Sequence, residues 1–234
     1  MKRKISIIIT IVAALVFLFL AGRFGFTVVT IEAAEEAVQS EEFDPVFYVD
    51  SIWDSQLMPA FNENGVDLAT VLSAMEPDEN GNALKDDLIG VAEQYGLITV
   101  GEAHTYLVKG TGKIVSVNAE TSLGVAEVSI DGYNGPIKVL VYVGTRIPSG
   151  ETSVRDAVGF IEFGDFKEQT EYGKAASEIN KRVLSTVLEG IDRESLVGKT
   201  VSFEGAFTIR TFNLIQIDIS EINIVPVQFD LGED

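Results

Sequence analysis

The sequence predicts an α+β fold: a helical N-terminal part, then a five-stranded β-barrel, the whole preceded by a membrane anchor. Three observations carry this. Apolar residues recur at helical spacing from Phe43 to Tyr95. After Gly101 the pattern changes to runs rich in Val, Ile, Tyr and Thr, punctuated by glycine and asparagine. A single helical pattern, near residues 170–189, then separates three such runs from two more.

Residues 5–22, ISIIITIVAALVFLFLAG, are 18 positions without a charge. At ~1.5 Å per helical residue they reach roughly 27 Å, close to the hydrocarbon thickness of a bilayer. Lys2, Arg3 and Lys4 precede them, which holds the N-terminus in the cytoplasm and sends the rest outside. A cleaved secretory signal is the alternative, but its apolar region is usually shorter, and no clean A-x-A site precedes Arg23. We read residues 1–31 as a basic cap with a single-pass signal-anchor. Residues 32–42, EAAEEAVQSEE, read as a juxtamembrane stalk, residues 43–100 as a helical subdomain and residues 101–234 as the barrel domain.

In the helical part, Asp44 suits an N-cap and Pro45 the first helical position. Val49, Ile52, Trp53, Gln56 and Ala60 follow at helical spacing, and Pro59 is expected to end or kink the helix. Asp67 can cap a short helix carrying Leu68, Val71, Leu72 and Met75. Leu84, Leu88, Val91, Ala92 and Tyr95 mark a third helix, stopped by Gly96.

Strands are expected near 105–118, 123–130 and 136–143, the first bent or bulged at Gly110 and Gly112. The helix of 170–189 shows one apolar face through Tyr172, Ala175, Ala176, Ile179, Val183 and Val187, and Gly190 closes it. Strands at 199–210 and 213–229 complete the chain, the last expected to break in two. Three strands, a helix and two strands is the order of the OB-fold, whose long first strand serves both halves of the barrel. A different small α+β barrel or sandwich is the runner-up.

Inventory removes several functions. There is no cysteine, hence no thiolate metal site, cysteine nucleophile or lipid-bearing thiol, and a single histidine, His104. Lys2, Arg3, Lys4 and Arg23 are four of the 17 basic residues, so the remainder carries a formal charge of −23 against −19 for the whole chain. Such a domain repels nucleic acid and anionic headgroups. Its charge serves solubility, or attracts a cation or basic partner.

DENGNALKDDLI (Asp78–Ile89) imitates a calcium loop but puts glycine at position 4 and Ile89 where a bidentate Glu belongs, so it reads as an acidic turn capping the next helix. GTGK at Gly110–Lys113 lacks the spacing and context of a P-loop, and no G-x-S-x-G elbow exists. Asp50 and Asp54 share a helix face at i, i+4, read as a solvated face beside Trp53. His104, at the start of a strand beside turn residues, reads as structural or exposed. No metal or cofactor is expected.

The segment SVRDAVGFIEFGDFKEQ, Ser153–Gln169, concentrates the unusual chemistry. In the first reading Arg155 and Asp156 are an internal clasp at an irregular crossover, with Phe160, Phe163 and Phe166 plugging the barrel or its helix. In the second, Thr152, Arg155, Asp156 and Gln169 line a pocket for a small polar ligand, with Phe163 and Phe166 as its floor.

FDPVFYVDSIWDSQLMPAF, GKIVSV, RDAVGFIEFGDFKEQTEYGKAASEIN and LVGKTVSFEGAFTI followed by IVPV resemble a bacterial family of predicted periplasmic lipoproteins, domain of unknown function 2291. The resemblance runs from about Phe43 to Val227 and is carried best by Arg155–Asp156, Phe166 with Gln169, and Gly198–Gly205. The family's Pro-x-x-x-Gly-x-x-x-Arg-Asp run is matched approximately by IPSGETSVRD. The resemblance implies an accessory role beside an ABC importer of carbohydrates or nucleosides, with a transporter subunit or solute-binding protein as partner, and supplies no catalytic residues. One departure stands out: the lipidated cysteine of such proteins is missing here, so the apolar helix is expected to anchor the chain. The expected function is thus a non-enzymatic, extracytoplasmic accessory or binding protein. A saccharide hydrolase and a purely structural envelope protein are the alternatives. The oligomeric state is left open by the sequence.

Overall fold

The structure is a computed structural model and describes residues 42–99 and 101–232. The expected basic cap and anchor (1–31), and the stalk (32–42) apart from Glu42, lie outside the described residues. Among the described residues no helix is long and apolar enough to cross a membrane.

Helix α1 (Pro45–Ile52) starts as its sequence dictates. The Asp44 carboxylate accepts the backbone N–H groups of Val46 and Phe47, and Pro45 occupies the first turn, where its missing N–H costs nothing. Pro59 does not end the helical run. A π-helical turn (Trp53–Leu57) precedes it, and α2 (Met58–Asn64) carries the proline in its own first turn. The π turn adds a residue and rotates the face, so Leu57 is buried where straight α-helical spacing selects Gln56.

Helix α3 (Leu68–Ala74) is capped by Asp67, which accepts from Thr70 N–H, and it buries Leu68, Val71 and Leu72, with Met75 beyond its end. Helix α4 (Lys85–Tyr95) starts one residue later than expected. Leu84 belongs to a short strand and is exposed. The acidic turn before it caps no helix: Asp78 accepts the N–H groups of Asn80 and Asn82 and leads into strand β2 (Asn82–Leu84).

The barrel strands are β4 (Ala103–Asn118), β5 (Val125–Ile130), β6 (Lys138–Tyr142), β7 (Thr200–Arg210) and β9 (Glu221–Leu231). The pairings run β4–β5–β6–β9–β7 and return from β7 to β4. All are antiparallel except β6 with β9. The long strand does serve both halves: residues 103–113 pair with β7 and 112–118 with β5. At Gly112, shared by both pairings, a Cβ would lie 2.2 Å from the Ser129 backbone oxygen, so only glycine permits the close approach, whereas the irregularity expected at Gly110 and Gly112 falls between Ile114 and Ser116. The expected break near the C-terminus is present, with β8 (Gln216–Asp218) pairing with β2 outside the barrel. Short strands β1 (Val66–Asp67) and β3 (Leu97–Ile98) add to β4.

Alternation along the strands divides the interior in two. Tyr106, Ile114, Phe203, Phe207 and Ile224 join Leu68, Leu72 and Leu88 in one core. Leu107, Ala206 and Val225 point the other way and meet Val49, Trp53 and Phe61 together with Ile179 and Val183. These last two lie on α6 (Gln169–Thr186), the helix between β6 and β7. The crossover into that helix is partly regular: α5 (Ser153–Ala157) occupies it, followed by a 3-10 turn (Phe163–Asp165).

Candidate functional site

Helix α5 is seated by buried polar contacts. The Ser153 hydroxyl lies 2.8 Å from that of Thr208 on β7, its N–H donates to the Glu151 carboxylate at 2.8 Å, and Asn180 of α6 donates to the Glu151 carbonyl at 2.8 Å. This brings Arg155, almost fully buried, against the start of α6.

Every N–H-bearing nitrogen of Arg155 is engaged. Nε and Nη2 reach Asp156 Oδ1 at 2.7 and 2.6 Å, Nη1 donates to the Tyr172 carbonyl at 3.0 Å, and the guanidinium carbon stands 3.4 Å from the centroid of the Tyr172 ring. The Tyr172 hydroxyl donates to Asp156 Oδ1 at 3.0 Å and the Thr152 hydroxyl to Oδ2 at 2.6 Å. Burial, and next the Asp156 charge, push the Tyr172 phenol above its ordinary value, so it stays protonated and keeps donating. Removing one partner of such a desolvated pair leaves the other charge uncompensated, which is costly.

This clasp forms the base of a cleft of about 900 Å³. Its lining includes Thr152, Arg155, Asp156, Phe163 and Gln169, five of the six residues singled out in the sequence. The sixth, Phe166, stands behind the wall, its ring 5.3 Å from Tyr172 and 5.5 Å from Tyr48. Phe163 plugs nothing. It is about half exposed at the cleft's edge, with its ring 5.5 Å from Tyr172 in an edge-to-face contact. Phe160 and Phe166 both pack against the core around α6.

Sequence reasoning missed the opposite wall, Leu97, Ile98 and Thr99 at strand β3. It also placed Tyr172 only on an apolar helix face. The available signal was its spacing of three residues from Gln169, which puts both on one side of the first turns of α6. Three further clefts of about 370–530 Å³ lack such a buried charge pair with an aromatic partner.

Of the two carboxylates lining the cleft, that of Asp156 is committed. Asp156 holds the clasp, while at the 3-10 turn the Asp165 carboxylate accepts the Glu162 N–H at 3.0 Å and the Asp165 N–H donates to the Glu162 carbonyl. Among the described residues no group of three or more His, Asp or Glu side chains is placed to hold a metal ion. His104 is fully buried on β4, and neither ring nitrogen has a hydrogen-bond partner. Burial, and next Lys85, lower its pKa, with Glu102 opposing, so it is a neutral interior side chain. Asp50 of the expected solvated face forms an ion pair with Arg182, and Asp54 is exposed.

Comparison with known proteins adds three findings. The family described as "Predicted periplasmic lipoprotein (DUF2291)" matches residues 13–230. An OB-fold protein from Thermotoga maritima, solved by crystallography, is similar in fold, with a TM-score of 0.60 and 19% sequence identity over 82% of this chain and 100% of that one. No curated protein matches the chain.

Proposed function

The chain belongs to the family of predicted periplasmic lipoproteins DUF2291, and from that premise we propose that it is a non-enzymatic binding protein held on the outer side of the cytoplasmic membrane. The uncharged run at residues 5–22 serves as its single-pass anchor, a reading supported by the absence of a cysteine to carry lipid. The cleft over Arg155 and Tyr172 is its ligand site.

One observation carries this reading. The cleft is walled by aromatic and aliphatic side chains, while each nitrogen of its buried arginine already reaches Asp156 or Tyr172. An apolar hollow with a few fixed polar groups is how proteins hold small amphiphilic molecules. An extracytoplasmic module with such a site suits an accessory of solute uptake, working beside a transporter subunit or solute-binding protein of an ABC importer for sugars or nucleosides.

Native mass spectrometry of the full chain, purified in mild detergent from its own membranes, tests the binding role. A non-covalently held small molecule is expected, and it should be missing from Tyr172→Ala protein that still folds. A small molecule retained equally by both would place the binding site elsewhere. Affinity purification under the same conditions tests the partner: recovery of no importer component, where known complexes survive, counts against the accessory role.

A further inference from the structure

Gly173 lies inside helix α6, at a position where glycine is a poor choice. Glycine in a helix interior is less stable than alanine. Nothing in the fold calls for it here, since a Cβ built on Gly173 meets no atom within 4 Å. The same holds for Gly164 in the 3-10 turn, where the space over the Cα is also open. Both glycines line the Arg155 cleft and are exposed, with open space over each. A third lining glycine, Gly159, has a different cause: its φ of +75° and the Leu97 methyl 3.0 Å from a built Cβ.

The electrostatics restrict what lies there. Arg155 and Asp156 neutralise each other, which leaves Glu162 as the remaining charge in the lining. An anionic ligand would find no free cation and one repelling carboxylate. The Gln169 carboxamide and the lone pairs of the Thr152 hydroxyl remain to meet hydroxyl or amide edges.

Resting on the binding role proposed above, we infer that Gly164 and Gly173 form a bare-backbone shelf against which the face of an uncharged ring compound lies, its polar edge turned to Gln169 and Thr152. Side chains at the two positions would fill the space the ring needs. Nucleosides and pyranosides share this chemistry, a flat or chair-shaped ring with neutral hydrogen-bonding edges.

Thermal shift and isothermal titration of the full chain in detergent separate the cases, with adenosine and methyl glucoside as probes and AMP and glucose 6-phosphate as their charged counterparts. One uncharged probe is expected to bind, identifying the source, and its phosphorylated form to bind at least roughly tenfold more weakly. Gly173→Ala should raise the melting midpoint of the free protein yet weaken that probe by about tenfold or more. Equal affinity for Gly173→Ala and the parent, or for the phosphorylated probe, overturns the shelf and leaves the cleft's binding role standing. Failure of every probe to bind the parent removes the binding role itself, and the shelf with it.

Discussion

Arg155 stands over the ring of Tyr172, its guanidinium carbon 3.4 Å from the ring centroid, and donates to that residue's carbonyl at 3.0 Å. Tyr172 in turn donates its hydroxyl to Asp156, the carboxylate that neutralises Arg155. Three side chains thus close a circuit that ties α5 to the first turns of α6 and forms the base of the cleft.

Removing one member should therefore cost more than a surface ion pair. Arg155→Ala leaves the half-buried Asp156 without its counter-charge and is expected to destabilise the fold by about 3 kcal/mol. Arg155→Lys keeps the charge but not the planar fork, and should fall between the variant and the parent. Urea unfolding of all three proteins checks this; an Arg155→Ala midpoint equal to that of the parent would show the circuit to be ornamental.

His104 predicts an acid limb. Its folded pKa is lowered, chiefly by burial, so its contribution is complete above the unfolded imidazole value of about 6.5 and is lost as pH falls through that value toward the folded one. His104→Leu should remove that limb. Denaturation midpoints of parent and variant are expected to run parallel above about pH 7.5 and to diverge below about pH 6.5, the parent falling faster. Curves that stay parallel down to about pH 5 contradict it.

Two residues along the strand, the buried Tyr106 hydroxyl has no partner while its ring stacks on Phe207 at 4.7 Å. Tyr106→Phe keeps the stack and removes the orphan. It should match or exceed the parent's stability, whereas a loss of about 1 kcal/mol or more would reveal a bond to the hydroxyl.

Alkali should act through the other buried phenols. Burial, then Glu151, push Tyr142 up to about 12, with Arg210 opposing. Burial, then the Asp156 charge, raise Tyr172 as well. Phenols kept neutral by the fold contribute stability that is complete below about pH 10 and lost as pH climbs through the folded values. Phenolate absorbance should show Tyr142 ionising near pH 12 or together with unfolding; early, reversible ionisation of all six tyrosines with the fold intact would refute this.

Gly112 tests the close approach of β5 to β4. In Gly112→Ala the new methyl meets backbone, the Ser129 oxygen at 2.2 Å, which no rotamer can relieve. A loss of about 3 kcal/mol is expected by thermal or urea unfolding. A variant as stable as the parent would mean that β5 can retreat from β4.

Much of the frame was legible because it rests on local chemistry. Asp44 before Pro45, Asp67 before Leu68 and the 3.6-residue spacing of Ala175, Ala176, Ile179 and Val183 each specify a helix by themselves. The run of three strands, helix and two strands identified the barrel order, because neighbours in sequence mostly pair in this fold. Legibility failed where a backbone irregularity or a distant segment intervened. The π turn at Trp53–Leu57 moved burial from Gln56 to Leu57, since one added residue rotates a helix face by about 100°.

By itself the sequence determined that an acidic chain without cysteine carries an anchor-length apolar run, helical segments and an OB-ordered set of strands, with an arginine and an aspartate adjacent in an aromatic stretch. Only the tertiary structure decided what that pair does. Spacing cannot say that Arg155 is spent on Asp156 and Tyr172, nor that β3, more than 50 residues upstream, forms the facing wall of the cleft. Caps and periodicity act within a turn or two of chain, whereas a cleft's charge and shape depend on which distant side chains the packed barrel brings within a few ångströms.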